Sequence, residues 1–482
     1  MSTNIRSLTQ HTMIYGVGYI TTRLVTFLLL PLYTNQLSAA EYGLVALVFA
    51  FLAFMNHIYN FGLDSALMRF YGEDDDPKQK SKVLSTAIWM VLAVSMVFSA
   101  TVYFLYRPIG QILMGGDYIL IKYAALILYL DCIIRVPFAL LRMEGRPVRF
   151  IALRMLNVIL TLGLNIYYLS VLKTGVIGVF QATLIASAVT AVAIYAVTFL
   201  KIRFTFSGSL AKDLLLFGLP FIPMGLATAA MEMLNRKIIE VLLDREAVGI
   251  FSAYFKLGIF IQLVATAFYY AWQPFFMKAG PQDTSRPVFA RVLTYFAAVS
   301  LGFWVIISLF IKEIVSFKIG STYLIGPDYW GYELLVPLFL LAYVFYGINL
   351  VFLPGVYFEK KTRYLAYVTI LAAAVNVGLN FILIPLLGLY GSATASVCGY
   401  FTLALVMHFI SQRLFRVPYE YARVAMLFVL AFAAVVPLYL FEMTVPLKIL
   451  IVIAFPIILK ILGFFKKAEI EAIKGLIPFR KK

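Results

Sequence analysis

Long, mostly apolar runs recur along the whole chain, and they limit what the chain can fold into. A helix needs about 20 consecutive apolar residues to cross the hydrocarbon core of a bilayer. Hydrophobic residues make up 63% of the 482 residues and charged residues only 13%, whereas soluble domains carry about 25% charged residues. The sequence therefore predicts an all-α membrane protein whose helices face lipid.

The apolar runs predict about fourteen transmembrane helices joined by short connectors. We expect the spans at residues 12–35, 42–67, 83–106, 117–141, 151–172, 176–200, 213–236, 249–276, 289–316, 333–358, 365–386, 390–411, 421–441 and 446–465. The first run is too long for the apolar core of a cleavable signal peptide, and no small-residue cleavage site follows it. The connectors have about 20 residues at most, which leaves no room for a catalytic domain outside the membrane.

The basic residues fall mainly in alternate connectors. With a cytoplasmic N-terminus, the inside connectors hold about three times as many Lys and Arg residues as the outside ones. We interpret Arg142, Arg146, Arg149 and Arg154 as anchors at the cytoplasmic surface rather than as ligands, although an anionic headgroup in the inner leaflet would meet them first. Arg236 counts among the basic residues of the outside connectors. The pattern predicts a multi-pass protein of the inner cell membrane with both termini in the cytoplasm. The net charge of +17 then reflects topology and predicts no nucleic-acid partner.

The sequence carries no motif of a soluble enzyme. It has no GxxxxGK[ST] phosphate loop, no HExxH motif and no nucleophile elbow. Its three histidines, His11, His57 and His408, lack metal-ligand spacing. We therefore expect no catalytic residues, no metal and no cofactor, and we predict that the protein is not an enzyme.

Two sequence matches indicate an internal repeat. Gly163–Asn165 (GLN) in the fifth span recurs as Gly378–Asn380 in the eleventh, and Leu37–Gly43 (LSAAEYG) resembles Leu243–Gly249 (LDREAVG). Both offsets are about 200–215 residues and contain an even number of spans, so the repeats run in the same direction through the membrane. The alternative is chance similarity between helices rich in Leu and Gly.

The repeat predicts two parallel six-helix lobes around a central cavity, followed by a C-terminal helix pair. We place the lobes at residues 1–206 and 207–417, and the two extra helices with a basic cytoplasmic tail at 418–482. Two repeats that face each other across a cavity at the bilayer midplane are typical of transporters.

Several stretches carry a resemblance to a known family. Tyr15–Gly18 (YGVG), Pro31–Thr34 (PLYT), Leu37–Gly43 and Phe61–Glu73 (FGLDSALMRFYGE) resemble the polysaccharide transporter family. Its members are flippases for lipid-linked oligosaccharides, such as O-antigen repeat units, and share a superfamily with multidrug extruders and the lipid II flippase. The predicted helix count and lobes agree with this family over nearly the whole chain. The motifs identify the family better than the substrate.

The resemblance implies a flippase that moves a polyprenyl-pyrophosphate-linked oligosaccharide from the cytoplasmic to the outer leaflet by alternating access. The cargo would serve the biosynthesis of a cell-surface polysaccharide such as lipopolysaccharide. The implied partners are this lipid-linked oligosaccharide, membrane lipids and other membrane proteins of polysaccharide assembly. Two alternatives stay open: a cation-coupled multidrug exporter of the same fold, and a membrane enzyme, polymerase or ligase, of the same pathway.

Charged residues at membrane depth are the candidates for the mechanism. A charge at the bilayer centre costs from about 2.5 to more than 10 kcal/mol, so such residues usually face a polar cavity. Arg23 lies at the centre of the first span, and Lys256 lies near the start of the eighth. Because cations pair with phosphate oxygens, we predict that both bind substrate. The alternatives are an ion pair within the protein for Arg23 and an extended, surface-directed side chain for Lys256.

Polar residues follow one face of the second span. Asn56, Asn60 and Asp64 recur at every fourth position, which places them on one side of a helix. We predict that Asn56 and Asn60 contact substrate sugars, with hydrogen bonds between helices as the alternative. Asp64, together with Glu232 in the seventh span, is our candidate for coupling to an ion gradient.

Asp131 and Arg135 stand four residues apart in the fourth span. Side chains at this spacing are neighbours on a helix. We therefore expect a structural ion pair between these two residues.

Overall fold

The computed structural model describes residues 21–73, 76–116, 118–219 and 221–466. The described chain is almost entirely helical, starting with residues 21–27. The further helices are α1 (Leu29–Gln36), α2 (Ala39–Asn60), α3 (Leu63–Glu73), α4 (Pro77–Phe104), α5 (Tyr106–Met114), α6 (Ile119–Ile133), α7 (Arg135–Met143), α8 (Pro147–Ile166), α9 (Gly175–Thr198), α10 (Gly208–Gly218), α11 (Phe221–Leu242), α12 (Arg245–Leu257), α13 (Ile259–Ala279), α14 (Arg286–Leu309), α15 (Ile311–Val315), α16 (Leu335–Val351), α17 (Pro354–Phe358), α18 (Arg363–Leu387), α19 (Leu389–Leu414), α20 (Tyr421–Val435) and α21 (Val445–Ile461). Two short strands, β1 (Lys318–Ile319) and β2 (Thr322–Tyr323), form an antiparallel hairpin.

Ten helical stretches in the described ranges are long and apolar enough to cross a membrane, and α12 with α13 forms an eleventh that is bent by 42°. Large apolar side chains such as Phe104 and Ile461, each 77% exposed, cover the outside of the helices. The other three predicted spans are not among these stretches. The first lies partly outside the described residues, the seventh is interrupted between α10 and α11, and the last, α21, has 17 residues.

The chain forms two compact units. The first consists of the described residues of Met1–Lys256, together with Lys318–Tyr332 and Leu365–Ala395. The second consists of the described residues of Leu257–Phe317, Glu333–Tyr364 and Ser396–Lys482. The predicted boundaries of the lobes at 1–206, 207–417 and 418–482 rest on the sequence repeat and stay a prediction.

Aromatic side chains hold the second unit together. The ring centroids of Trp272 and Phe289 lie 5.1 Å apart, and Trp272 Nε1 donates a hydrogen bond to the Leu350 carbonyl at 3.1 Å. Trp304 Nε1 donates to the Pro337 carbonyl at 2.7 Å. These bonds satisfy the indole N–H groups, which is what allows both indoles to be buried.

Two matching stretches of the first unit fold alike at the start of a helix. Ser38 caps α2, because its Oγ accepts a hydrogen bond from the Glu41 N–H at 3.3 Å while Glu41 Oε2 accepts one from the Ser38 N–H at 2.9 Å. Asp244 occupies the equivalent position before α12, and its Oδ1 accepts a hydrogen bond from the Ala247 N–H at 2.7 Å. Each side-chain oxygen satisfies an N–H group that the first turn of a helix leaves open. The sequence match therefore marks two equivalent helix starts.

Glycines at equivalent positions let α2 and α12 meet backbone to backbone. A Cβ atom at Gly43 would lie 2.0 Å from the Arg245 carbonyl oxygen, and one at Gly249 would lie 1.8 Å from the Ala39 carbonyl oxygen. The offset that aligns Gly43 with Gly249 also aligns Ala39 with Arg245, so this glycine contact is symmetric. Such symmetry is expected where two parallel repeats meet about an axis along the membrane normal.

The second sequence match also has a structural role in each copy. Asn165 Oδ1 accepts a hydrogen bond from the Tyr33 hydroxyl at 3.0 Å, and Asn380 Nδ2 donates one to Asn235 Oδ1 at 2.8 Å. Both Asn165 and Asn380 are fully buried. Each copy thus ties its helix to another helix through an amide that water does not reach.

The second span is broken, whereas we predicted a continuous helix at 42–67. Phe61 and Gly62 separate α2 from α3 and have φ values of 46° and 64°. Gly62 packs on Gly218 at the end of α10, where a Cβ atom at Gly62 would lie 2.6 Å from the Gly218 carbonyl oxygen. Glycine tolerates both the left-handed backbone and the close approach.

The connector that carries β1 and β2 is fixed to the ends of α1 and α2. Asn35 Nδ2 donates a hydrogen bond to the Tyr323 carbonyl at 2.8 Å, and the Tyr329 hydroxyl donates to the Leu37 carbonyl at 3.1 Å. The Tyr254 hydroxyl of α12 donates to the Tyr329 carbonyl at 3.0 Å. Residues 318–332 of this connector therefore belong to the first unit.

Candidate functional site

The first unit contains a cavity of about 360 Å³, which we name the polar cavity. Helices α2, α3, α6, α7 and α8 build it. Its lining residues are Asn56, Asp64, Asp131, Ile134, Arg135, Phe138, Arg142, Phe150, Arg154 and Asn157. Three arginines and two aspartates give this lining a formal charge of +1. By the predicted orientation, the cavity lies in the cytoplasmic half of the membrane.

Aromatic rings and an amide hold the three guanidinium groups of the polar cavity. The Arg154 guanidinium lies 4.1 Å from the centroid of the Phe138 ring, and that of Arg142 lies 6.0 Å from the centroid of a second phenylalanine ring. Arg135 Nη2 donates a hydrogen bond to Asn56 Oδ1 at 3.2 Å. None of the three forms an ion pair within the part of the chain that the structure describes. The two aspartates of the lining face these guanidinium groups from beyond ion-pair distance.

The three polar residues on one face of the second span, Asn56, Asn60 and Asp64, have different surroundings. Asn60 Nδ2 donates a hydrogen bond to Asp64 Oδ1 at 3.0 Å, and the Ser65 N–H donates to the same oxygen at 2.8 Å. Asn56 and Asp64 line the polar cavity, whereas Asn60 does not. The break between α2 and α3 separates Asp64 from the helix that carries the two asparagines, yet the Asn60 side chain bridges it. Hydrogen bonds between helices are thus present, and contact of Asn56 and Asn60 with substrate sugars stays a prediction.

The predicted ion pair between Asp131 and Arg135 is wrong. Asp131 Oδ1 accepts a hydrogen bond from Ser187 Oγ at 2.8 Å, and Arg135 donates to an asparagine instead. Helix α6 ends at Ile133 and α7 begins at Arg135. Ile134, the residue between the two helices, keeps right-handed helical backbone angles. The ion pair is therefore absent because each side chain has another partner, Ser187 for Asp131 and Asn56 for Arg135.

A second cavity, of about 130 Å³, lies among α2, α11 and α12, and we name it the cationic cavity. Its lining residues are Tyr42, Ala46, Phe49, Ala50, Ala53, Arg236, Ser252 and Lys256. They include two cations and no carboxylate. Helix α2 belongs to the first predicted lobe, while α11 and α12 belong to the second.

Side chains of the first unit hold both cations of this cavity in place. Lys256 Nζ lies 5.3 Å from the ring centroid of Tyr33 and 5.4 Å from that of Tyr42. Arg236 Nε donates a hydrogen bond to Ser252 Oγ at 3.2 Å. Ring faces and hydroxyl oxygens stabilise a cation without cancelling its charge. The lining of the cavity thus carries two formal positive charges and no carboxylate, a composition that suits an anion.

Two other predicted site residues lie elsewhere or are not described. Arg23 lies in the helical residues 21–27 with an exposed side chain, and it lines neither the polar nor the cationic cavity. Glu232 belongs to α11, but its side chain lies outside the described part of the chain, as do residues 12–20 of the first predicted span.

Sequence reasoning missed several arginines of the two cavities. We expected Arg236 at the outer boundary of a span, but α11 continues to Leu242. Six residues follow Arg236 in α11, so Arg236 lies about 9 Å from the C-terminal end of this helix. Arg142 and Arg154 were expected to be surface anchors, and their sequence spacing does not indicate that they line one cavity from two helices. The one signal was the position of Arg154 inside a predicted span.

A family model described as polysaccharide biosynthesis protein matches residues 8–279, which is more than half of the chain. The chain belongs to the polysaccharide biosynthesis protein family. No curated protein sequence matches it significantly. The resemblance that the sequence motifs carried is thus confirmed at the level of the family.

Solved structures of transporters share the fold of this polysaccharide biosynthesis protein. The lipid II flippase MurJ in an inward closed conformation is 15% identical, with a TM-score of 0.75 over 94% of this chain and 99% of its own. An inward-facing multidrug resistance MATE family transporter of the MOP superfamily is 17% identical, with a TM-score of 0.67 over 86% and 99% of the two chains. A MOP superfamily transporter from Pyrococcus furiosus, described by the reverse polarity of its binding pocket, is 17% identical, with a TM-score of 0.57 over 87% and 96%. The prediction of an all-α, multi-pass membrane fold is therefore confirmed.

The side chains that line the two cavities have a chemistry suited to binding anions. Across the described residues, no group of three or more His, Cys, Asp or Glu side chains could hold a metal ion. The two cavities instead present guanidinium and ammonium groups beside aromatic rings. Such groups bind phosphate oxygens, the guanidinium in a bidentate manner and the ammonium as a compact charge.

Proposed function

We propose that the protein is a flippase that moves a polyprenyl-pyrophosphate-linked oligosaccharide from the cytoplasmic to the outer leaflet for cell-surface polysaccharide biosynthesis. The observation that carries this proposal is the cationic cavity, where Arg236 and Lys256 line one space without a carboxylate. The family assignment agrees with it, because polysaccharide repeat units are assembled on lipid carriers.

The charge balance of the cationic cavity selects the class of ligand. Placing two cations near each other inside a membrane is unfavourable unless an anion joins them, because charges interact strongly where the dielectric constant is low. A pyrophosphate group offers several anionic oxygens to a guanidinium and an ammonium group. An organic cation would be repelled by both Arg236 and Lys256.

Further residues complete the proposal. Arg23 would be an additional anchor for the pyrophosphate, and Asn56 and Asn60 would contact sugar hydroxyls. Asp64 and Glu232 are the carboxylates that would couple transport to an ion gradient. Alternating access of the two predicted lobes would expose the headgroup first to the cytoplasm and then to the outside, while the lipid tail stays in the bilayer.

One observation favours a second candidate, a cation-coupled multidrug exporter of the same fold. The polar cavity contains the carboxylates Asp64 and Asp131, which are groups that a cationic drug requires. Both already accept hydrogen bonds within the protein, and three arginines surround them. The charge of the cavity therefore favours the flippase. A membrane polymerase or ligase of the pathway is the third candidate.

Native mass spectrometry of the purified protein tests the proposal. We expect selective binding of undecaprenyl pyrophosphate over tetraphenylphosphonium, with affinity reduced at least tenfold by Lys256→Gln combined with Arg236→Gln. Lys122→Gln is the matched control, because Lys122 lies 4.2 Å over the Tyr106 ring and lines neither cavity. Preference for tetraphenylphosphonium would support the exporter, and a change in the mass of the added lipid would support an enzyme.

A further inference from the structure

We infer that the polar cavity is a second anion site, which receives the pyrophosphate of the lipid-linked substrate on the cytoplasmic side before it reaches the cationic cavity. This inference rests on the proposed function and adds to it a loading position with its own residues. Arg142 and Arg154 are the groups that would bind the phosphates, with Arg135 beside them.

In the polar cavity one oxygen of each aspartate accepts hydrogen bonds, whereas two of the arginines make none. Asp131 accepts a hydrogen bond from Ser187, and Asp64 accepts hydrogen bonds from Asn60 and from a backbone N–H. Arg142 and Arg154 form neither a hydrogen bond nor an ion pair with any residue that the structure describes. A guanidinium group carries five N–H donors, so two groups leave many donors for an external ligand.

The Arg154 side chain is positioned for such a ligand by a rigid support. Its guanidinium lies 4.1 Å from the centroid of the Phe138 ring and 5.7 Å from that of the Phe150 ring. Phe138 is 2% exposed and belongs to a cluster of buried apolar residues, against which Phe150 packs. A planar group that stacks on a fixed ring loses little further freedom when its edge binds an anion. This arrangement favours bidentate binding of phosphate.

One helix connects the two cavities. Asn56 of α2 lines the polar cavity, and Ala53 of the same helix lines the cationic cavity. Ala53 and Asn56 are three residues apart, which corresponds to about 4.5 Å along the helix axis. In the predicted orientation the polar cavity lies toward the cytoplasm and the cationic cavity toward the outside. An anion that moved along α2 would therefore pass from one group of cations to the next.

The size of the polar cavity and its charge agree with a headgroup rather than an ion. Ligand cavities measure about 300–1,000 Å³, and the polar cavity measures about 360 Å³. The pyrophosphate of the substrate and the phosphate of an anionic phospholipid share the chemistry that arginines recognise. The experiment must separate these two sources.

Protection of a cysteine in the polar cavity tests the inference. Asn157→Cys would be introduced into full-length protein in which Cys132 and Cys398 are replaced by alanine, and its modification by a maleimide would be timed. We expect farnesyl pyrophosphate to slow the modification at least fivefold, while farnesol has no effect. The protection should persist in Lys256→Gln with Arg236→Gln.

Variants of the cavity arginines make the test specific. Arg142→Gln combined with Arg154→Gln should abolish the protection, whereas Arg149→Gln, which removes a nearby cation outside the cavity lining, should retain it. Arg142→Lys combined with Arg154→Lys keeps the charge and the fold, and we expect it to weaken the protection because an ammonium cannot bind in a bidentate manner. An equal melting temperature of each variant and the parent shows that folding is intact.

Other outcomes overturn the inference in distinguishable ways. Absence of protection, with undecaprenyl pyrophosphate binding that still depends on Lys256, would reject the loading site and leave the proposed function standing. Absence of both would reject the proposed function as well. Protection by phosphatidylglycerol equal to that by farnesyl pyrophosphate would assign the cavity to phospholipid headgroups and not to the substrate.

Discussion

Lys256 has no carboxylate partner among the residues that line its cavity. Its Nζ lies over the rings of Tyr33 and Tyr42, 5.3 and 5.4 Å from their centroids. A ring face stabilises a cation by about 0.5–2 kcal/mol, which replaces part of the hydration that an ammonium group loses between membrane helices. An anionic ligand would supply the remaining stabilisation, and this links the local geometry to the proposed substrate.

Tyr33 has two separable roles at this scale, and single substitutions distinguish them. The Tyr33 hydroxyl donates to the buried Asn165 Oδ1 at 3.0 Å, while the ring faces Lys256. Tyr33→Phe keeps the ring and leaves the amide oxygen without this donor. A buried acceptor left unsatisfied costs about 1–3 kcal/mol. We therefore expect a lower melting temperature in detergent and unchanged binding of undecaprenyl pyrophosphate.

Two further variants control this prediction. Tyr33→Leu removes the ring as well and should reduce both the melting temperature and the binding. Tyr42→Phe should leave the melting temperature unchanged, because no hydrogen bond of the Tyr42 hydroxyl occurs among the described residues. A wild-type melting temperature for Tyr33→Phe would contradict the account of the Asn165 bond.

At the scale of helices, the glycine contact between α2 and α12 lies next to one end of the cationic cavity. Gly43 directly follows Tyr42, and Gly249 lies one turn before Ser252; both Tyr42 and Ser252 line the cavity. In the predicted orientation this is the outer end. The contact is backbone to backbone, so its strength depends on the absence of side chains at Gly43 and Gly249.

Gly249→Ala should therefore separate the outer ends of these helices. The new Cβ atom would lie 1.8 Å from the Ala39 carbonyl oxygen. The two backbones must move apart to remove this steric clash. We expect Ser252→Cys, buried in the parent protein, to react at least fivefold faster with a membrane-impermeant maleimide added from outside. Gly163→Ala is the control, because a Cβ atom there meets nothing within 4 Å. Equal labelling rates in the two variants would argue against a gate at this contact.

At the scale of the whole molecule, composition predicts the membrane helices well. Burying a helix in lipid requires a continuous apolar surface, and this requirement is visible in one sequence. The repeat was visible for a similar reason, because Ser38 and Asp244 cap equivalent helices and Gly43 and Gly249 allow one symmetric contact. Where the same helix caps and glycine contacts occur twice, the residues that form them recur in the sequence.

The cavities could not be predicted in the same way, because they depend on which helices meet. Arg142 and Arg154 follow the rule for surface anchors, yet both line the polar cavity. Asp131 and Arg135 each have a hydrogen-bond partner on another helix, Ser187 and Asn56, and apolar composition gives no sign of these contacts. Helix breaks and packing partners arise from tertiary contacts, and a hydropathy pattern does not contain them.

Translocation by the purified protein in liposomes tests the central claim most directly. A polyprenyl-pyrophosphate-linked sugar with a fluorescent label would be placed in both leaflets, and dithionite added outside would quench the label wherever it is reachable. The account predicts that wild type and Lys122→Gln expose the inner pool to quenching, with the initial rate at least tenfold lower in Lys256→Gln combined with Arg236→Gln. Equal rates in all three proteins, or no protein-dependent exposure of the inner pool, would contradict it.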